Sequence, residues 1–442
     1  MQKDLTEGNI ARKLLLFSLP MTAANLLQQC YNLADTMIVG RYIGENALAS
    51  VGSAYTLMVF ITSILLGLSL GSSALVASYY GAGKGEKMSS VIASSFITIL
   101  ILSLLMTAFC LLSIDWIIDL LNTPSELEGM LREYLFWIFL GLLGVFLINY
   151  FSCLLRSVGD SVTPLIFLAI SAIMNIALDL FFIISLDLGI AGAAIATIIS
   201  QYFAGIGLLL VTVMRERNLV PHLSEIRRWR REIKSVLSYS VITSAQQSVM
   251  NFGILMIQGL VNSFGVSVMA AFAAGVKIDS FAYLPVQDFG NAYSFFIAQN
   301  SGKKLRDRIR EGTVIAVVIT VVFSIVISIL VNLAAPFLIS VFFSEPDDAV
   351  ISIGVSYLRL EGSFYALIGI LFLLYGYFRA DGRPVISLLL TVISLGLRVL
   401  LSYSLAPSYG YYVIWLSIPL GWIAADATGY ILYRKNFTLQ IK

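Results

Sequence analysis

The sequence predicts an all-α polytopic membrane protein, with twelve transmembrane helices in two six-helix repeat bundles. Three observations predict it. The composition, 58% hydrophobic and 12% charged, with a mean hydropathy of +0.89, is far from the roughly 25% charged residues of a soluble domain. Stretches of about 20 apolar residues, enough to cross a bilayer, recur along the 442 residues. Motifs of the first half return in the second at one displacement, which marks an internal duplication.

The first span begins near Leu14 and reaches Asp35 close to its far end. Pro20 interrupts it and is the candidate helix hinge, because a mid-helix proline weakens a backbone hydrogen bond and permits a kink. The second span, from about Val51, is introduced by Gly44 and followed by Gly81-x-Gly83-Lys84; the third starts near Val91. The fourth, from about Leu131, carries Tyr134-Leu135 and ends at Arg156-x-x-Gly159. Asn175 and Asp179 lie in the fifth, which begins near Val162, and Thr197 in the sixth, which follows Gly189. The seventh starts near Val236 and holds Gln246, Gln247 and Asn251; the eighth starts near Val268 and holds Lys277, Asp279 and Tyr283. Spans nine to twelve start near Val314, Ile351, Val385 and Tyr411. Glu361 is on the tenth and Arg398 on the eleventh.

The displacement is 223 residues, from Tyr134-Leu135 to Tyr357-Leu358, Arg156 to Arg379 and Gly159 to Gly382. Gly44 answers to Gly265, Gly189 to Gly410, and Gly81-x-Gly83-Lys84 weakly to Ser301-Gly302-Lys303-Lys304. An even number of spans per copy makes the repeats parallel. The expected division is an N-terminal lobe over 1–214, a basic cytoplasmic linker over 215–234 and a C-terminal lobe over 235–442. Within the linker, Leu223 to Ile233 reads as a basic helix with Ile226, Trp229 and Ile233 on one face, suited to an anionic leaflet; an ordinary loop fits equally. His222, the sole histidine, reads as a solvated loop residue.

Charge placement gives orientation. With the N-terminus inside, most of the 28 basic residues fall on one side, from Lys3 through Arg227, Arg228, Arg230 and Arg231 to Lys303, Lys304 and Lys442. The opposite loops carry Glu126, Glu128, Glu345, Asp347 and Asp348. The positive-inside rule therefore places both termini in the cytoplasm, in a bacterial inner (plasma) membrane. Cys30, Cys110 and Cys153 fall within spans without metal or disulfide spacing and read as small buried hydrophobes. Met1 to Lys13 has no small-residue cleavage site and is not expected to be a signal peptide.

Asp35 and Asp179 carry the chemistry. An ionised carboxylate inside a bilayer costs several kcal/mol unless solvated or paired, so intramembrane acids point to function. Asn175 and Asp179, four apart, share a helix face. The orientation brings Asp35, Asn175, Asp179 and Thr197 to one depth in the outer half. Two carboxylates in a dry place cannot both ionise easily, so the cluster is suited to a proton or a sodium ion whose binding biases alternating access. The 223-residue shift carries Asn175 to Arg398 and Asp179 to Ser402, so the second half is expected to manage without the acids. Gln246, Gln247, Asn251, Asp279 and Tyr283 are candidate cargo contacts, with Lys277 as an alternative partner that neutralises Asp279, and Arg359 as a partner for Glu361.

At these residues the chain resembles the MATE (multidrug and toxic compound extrusion) family, in its DinF-like branch. The resemblance is carried by Leu5-Thr6-Glu7-Gly8, Asn32 to Gly40, Arg156-Ser157-Val158-Gly159-Asp160, Asn175-x-x-x-Asp179 and Gly192 to Thr197. It implies two lobes around a central cavity, export of drugs or metabolites against protons or sodium, and a cation site at Asp35, Asn175, Asp179 and Thr197. It also implies that Pro20 is where the first helix bends. No cofactor is expected beyond the coupling ion, proton rather than sodium, and no metal unless sodium sits at Asp35 and Asp179. The expected partners are the bilayer and small lipophilic substrates, cationic or neutral; nucleic acid is not among them, and the protein is expected to be a monomer. A flippase for lipid-linked oligosaccharide or cell-wall precursors is the alternative, disfavoured by the acidic spans. An intramembrane enzyme is a distant one, lacking nucleophile–base pairs or clustered metal ligands.

Overall fold

The computed structural model describes residues 4–121, 123–343 and 348–441, and among these every regular element is a helix. Lys3, Glu345, Asp347 and Lys442 of the charge pattern lie outside the described residues. The chain opens with α1 (Ile10–Tyr42), α2 (Glu45–Gly81), α3 (Gly85–Leu112) and the short α4 (Ile114–Leu120). It continues with α5 (Ser125–Leu140), α6 (Leu142–Ser157), α7 (Val162–Leu180) and α8 (Gly189–Arg215). The short α9 (Leu223–Arg227) precedes α10 (Ile233–Asn262), α11 (Val266–Gly302) and α12 (Arg306–Ser340). The last elements are α13 (Asp348–Gly362), α14 (Tyr365–Ala380), α15 (Pro384–Tyr409) and α16 (Tyr412–Ile441).

Among the described residues eight helices are long and apolar enough to cross a membrane, and two bent pairs, each counted as one span, raise the number to ten. The other two expected spans coincide with α10 and α16, each 30 residues, long enough but diluted by Gln246, Gln247 and Asn251 in one and Asp426 in the other. The outward faces are apolar: on α12, Val314, Val318, Val322, Ile325, Ile329 and Leu333 are all exposed, a stripe that needs lipid to cover it.

The duplication is visible in the backbone. Ser125–Leu140 and Leu142–Ser157 meet at 40°, and Asp348–Gly362 and Tyr365–Ala380 at 50°, so the same span is broken at the same place in both halves. Left-handed backbone recurs too, at Gly44 and Gly265 (φ 117° and 99°), Gly159 and Gly382 (91° and 83°), and Gly189 and Gly410 (54° and 83°). Gly83 (66°) is matched by Lys304 (59°), one residue away from the motif alignment.

Two compact units emerge, Ala23–Ser248 with the first residues of the chain, and Leu5–Thr22 with Val249–Lys442. The division falls inside α1 and α10 rather than in the basic segment 215–234. Side chains explain it. In the second unit the Leu5 amide donates to Gln299 Oε1 (3.0 Å), Asn300 Nδ2 to the Leu5 carbonyl (3.3 Å), Arg308 to the Gly8 carbonyl (2.9 Å) and Lys303 Nζ to Thr6 Oγ1 (3.0 Å). In the first unit the start of α10 lies against α2, where a Cβ added to Gly71 would be 2.4 Å from the Tyr239 carbonyl oxygen. The core of that unit joins α2, α3, α5 and α6 through Leu65, Val91, Leu135, Phe139 and Phe146.

Two expectations are corrected. Leu223 to Ile233 is not one amphipathic helix but α9 followed by a 3₁₀ turn, Trp229–Glu232, because the segment is tied to α3: Ser94 Oγ donates to the Trp229 carbonyl and the His222 amide to Ser89 Oγ (3.3 Å). Cys110 and Cys153 are buried, but Cys30 is exposed, on a face of α1 that also exposes Leu27.

Candidate functional site

The first unit holds the four residues expected to form a cation site. Asp35 is two turns before the end of α1, Asn175 and Asp179 lie in the last turns of α7, and Thr197 is in the first half of α8. Asp179 and Asn175 are buried, with 0% and 1% exposure; Asp35 and Thr197 are half-buried. Asn175 Nδ2 donates to Thr197 Oγ1 (3.3 Å). Asp35 and Asp179 lie close enough to act on each other electrostatically. Asp35 Oδ1 and both oxygens of Asp179 have no hydrogen-bond partner among the described residues, and no cationic side chain acts on either group. Directly after Asp179, α7 opens into a π-helical turn, Phe181–Ser185, a local widening that recurs at functional sites.

Sequence reasoning missed the tyrosines. Tyr31 and Tyr134 both interact with Asp35 and Asp179. Tyr134 had signalled itself only as a repeat residue.

The second unit contains an acidic cluster of its own, which corrects the expectation that this half does without acids. Its carboxylates come from other positions: Asp279 on α11 and Glu361 on α13, which interact directly. Tyr365 donates its hydroxyl to Asp279 Oδ1, and Tyr357 lies beside both acids and interacts with them. Tyr357 in turn packs on Trp415 (5.0 Å) and Phe272 (5.4 Å), which stack on each other at 5.3 Å. Lys277 is exposed and does not neutralise Asp279; two residues along a helix it points away. Arg359 is likewise exposed. Arg398, the repeat counterpart of Asn175, is the cation that acts on Glu361 and Tyr283.

Of the expected cargo contacts, Gln246 and Gln247 are buried in the α10 segment of the first unit, while Asn251 and Tyr283 are half-buried in the second. Pro20 lies inside an unbroken α1, two residues before the unit division after Thr22. Among the described residues no three His, Cys, Asp or Glu side chains are grouped to hold a metal ion.

Two copies of one set of long apolar helices, with carboxylates buried inside them, are the build of a membrane transporter. The MatE family model matches residues 20–181 and 240–404. The chain belongs to the MATE family, whose members are transporters and not enzymes. It is 32% identical to the probable multidrug resistance protein YpnP of Bacillus subtilis, over 98% of this chain and 96% of that one. It is 26% identical to the probable multidrug resistance protein NorM of Thermotoga maritima, over 87% and 83%. A solved MOP superfamily transporter from Pyrococcus furiosus has the same fold, with a TM-score of 0.92 at 23% identity, covering 100% of this chain and 98% of that one.

Proposed function

We propose that the protein is a multidrug or metabolite exporter working by proton-coupled antiport, with Asp35 and Asp179 as the exchanging pair and Asn175 and Thr197 as its polar support. The observation that carries this reading is the close, donor-free approach of Asp35 and Asp179 inside the first unit. A single positive charge relieves such a pair, and no side chain supplies it. Uptake of a proton from outside changes the pair's charge and hence the packing of α1 against α7 and α8, which is what a gradient needs to bias two states. Release inside resets the carrier.

Relatives named multidrug resistance proteins support small-molecule cargo, and the acidic spans favour lipophilic cations or neutral compounds. Tyr283 and Asn251 are the half-buried polar groups proposed to meet it; Asp279 is held by Tyr365 and Glu361. The placement proposed is a bacterial plasma membrane with both termini cytoplasmic, as the basic residues require, and a monomer.

The test is efflux of a fluorescent lipophilic cation from proteoliposomes under an imposed pH or sodium gradient, with wild type, Asp35→Asn and Asp179→Asn. Transport driven by pH and lost in both variants is expected. Sodium-driven transport keeps the site and changes the ion, while unchanged transport in both variants overturns the mechanism.

A further inference from the structure

The buried face of α16 runs through Trp415 and Trp422 to Asp426, seven and eleven residues on from Trp415 and therefore on the same side of the helix. Asp426 is half-buried as a residue, yet both carboxylate oxygens are shielded and neither has a hydrogen-bond partner among the described residues. The group lies in a closely packed part of the second unit. At Gly421, one turn earlier, an added Cβ would be 2.4 Å from the Ser394 carbonyl of α15, and at Gly429 2.6 Å from Leu374 of α14. Fourteen residues from the start of α16 correspond to about 21 Å of helix. In a hydrocarbon core about 30 Å thick, Asp426 is thus in the cytoplasmic third, given the orientation above.

Its surroundings are hydroxyls. Tyr375 of α14 feels the Asp426 charge and interacts with Thr391 of α15; Ser387 Oγ donates to the Tyr375 carbonyl (2.9 Å) and Thr391 Oγ1 to the Ser387 carbonyl (3.0 Å). Ser387, Thr391, Ser394, Arg398 and Ser402 recur every three or four residues, one polar seam along α15. Its four hydroxyl residues are buried, and Arg398 at its middle acts on Glu361.

Other charges are distant from Asp426. On α15 no titratable side chain lies between Arg383 and Arg398. On α14 Arg379 is bonded to Ser294 and Asn291. On α13 Tyr357 packs beside Trp415, three turns away. On α16 itself Arg434 is two turns beyond and Tyr430 is exposed.

We propose that Asp426 is a proton-exchanging carboxyl on the cytoplasmic flank of the second unit, at the foot of the hydroxyl seam of α15. A carboxylate without a donor or cation costs several kcal/mol in hydrocarbon, and a proton is the smallest ligand that relieves it. The O–H bond forms on one carboxylate oxygen with a proton from cytoplasmic water and breaks by returning it. The seam's hydroxyls, donors and acceptors at once, line α15 from the level of this carboxyl to that of Arg398. The role rests on the proton-coupled reading, but its test does not.

Infrared difference spectra of the purified full chain in detergent, between mildly acidic and mildly alkaline buffer, read carboxyl protonation without transport. Asp426→Asn should remove one carboxylic-acid band and leave those lost in Asp35→Asn and Asp179→Asn in place; Asp426→Glu should keep a band at a shifted position. Identical spectra in wild type and Asp426→Asn overturn the proposal, whether or not transport proves proton-driven. If Asp426→Asn does not fold, an unshifted spectrum in Asp426→Glu overturns it equally.

Discussion

Replacing Gly71 by alanine tests the packing on which the first unit depends. Gly67 and Gly71, four apart on α2, let the backbone of α10 come close: a Cβ at Gly71 would be 2.4 Å from the Tyr239 carbonyl oxygen and 2.7 Å from Ser240 Cα, and at Gly67 2.4 Å from Ser244 Cα. Carbon contacts are comfortable at about 3.5–4.0 Å, so the two helices must part by about 1 Å. All the opposing atoms are backbone, so no side chain can swing away. Such overpacking costs about 1–3 kcal/mol, against a gain of about 1 kcal/mol from exchanging glycine for alanine in a helix. Gly52, on the same helix, has nothing within 4 Å of an added Cβ, so Gly52→Ala keeps the gain alone. The propensity term cancels between the two variants, and Gly71→Ala should unfold with about 1–3 kcal/mol less stability than Gly52→Ala. Thermal unfolding of both proteins in one detergent, followed by size-exclusion of the monodisperse fraction, measures the difference. Equal stability would refute the close approach of α2 and α10.

Four further outcomes follow from the second unit. Trp415→Ala removes a fully buried ring stacked on Phe272 and met edge-on by Tyr357 and should cost about 3–5 kcal/mol, read in the same unfolding assay. Gln299→Ala leaves the buried Leu5 amide without its acceptor, at about 1–3 kcal/mol, and should raise hydrogen exchange in residues 5–10 while sparing α13. Lys277→Met should alter stability by less than about 0.5 kcal/mol and leave efflux unchanged, because Lys277 is exposed; Arg398→Met strips Glu361 of the cation that acts on it and should impair efflux.

Span positions, the duplication and the Asp35, Asn175, Asp179 and Thr197 cluster were legible because each is written locally, as an apolar run, a fixed displacement or an acid in hydrocarbon. The N-terminal docking was not: Leu5 and Gln299 are far apart in the chain, and no periodicity records a bond between a backbone amide and a side-chain amide. The bend between α5 and α6 was equally hidden, since Gly141 sits within an unbroken apolar run. Arg359 and Lys277 were assigned as partners by sequence proximity, whereas residues two apart on a helix face different ways. The second acidic cluster escaped a search at the 223-residue shift because Asp279 and Glu361 are not the counterparts of Asp35 and Asp179.

That last difference carries the functional argument. The repeat preserves a scaffold: a span bent by 40° or 50°, with Tyr134 on one copy and Tyr357 on the other, each beside a pair of acids. The acids themselves have been placed independently, and so has the charge that answers them. Where the first unit has Asn175, a neutral amide bonded to Thr197, the second has Arg398, a tethered cation that acts on Glu361. One negative charge of the second cluster is therefore met from within the chain. The Asp35–Asp179 pair has no such resident, so under the proposed exchange its positive charge would come from solution.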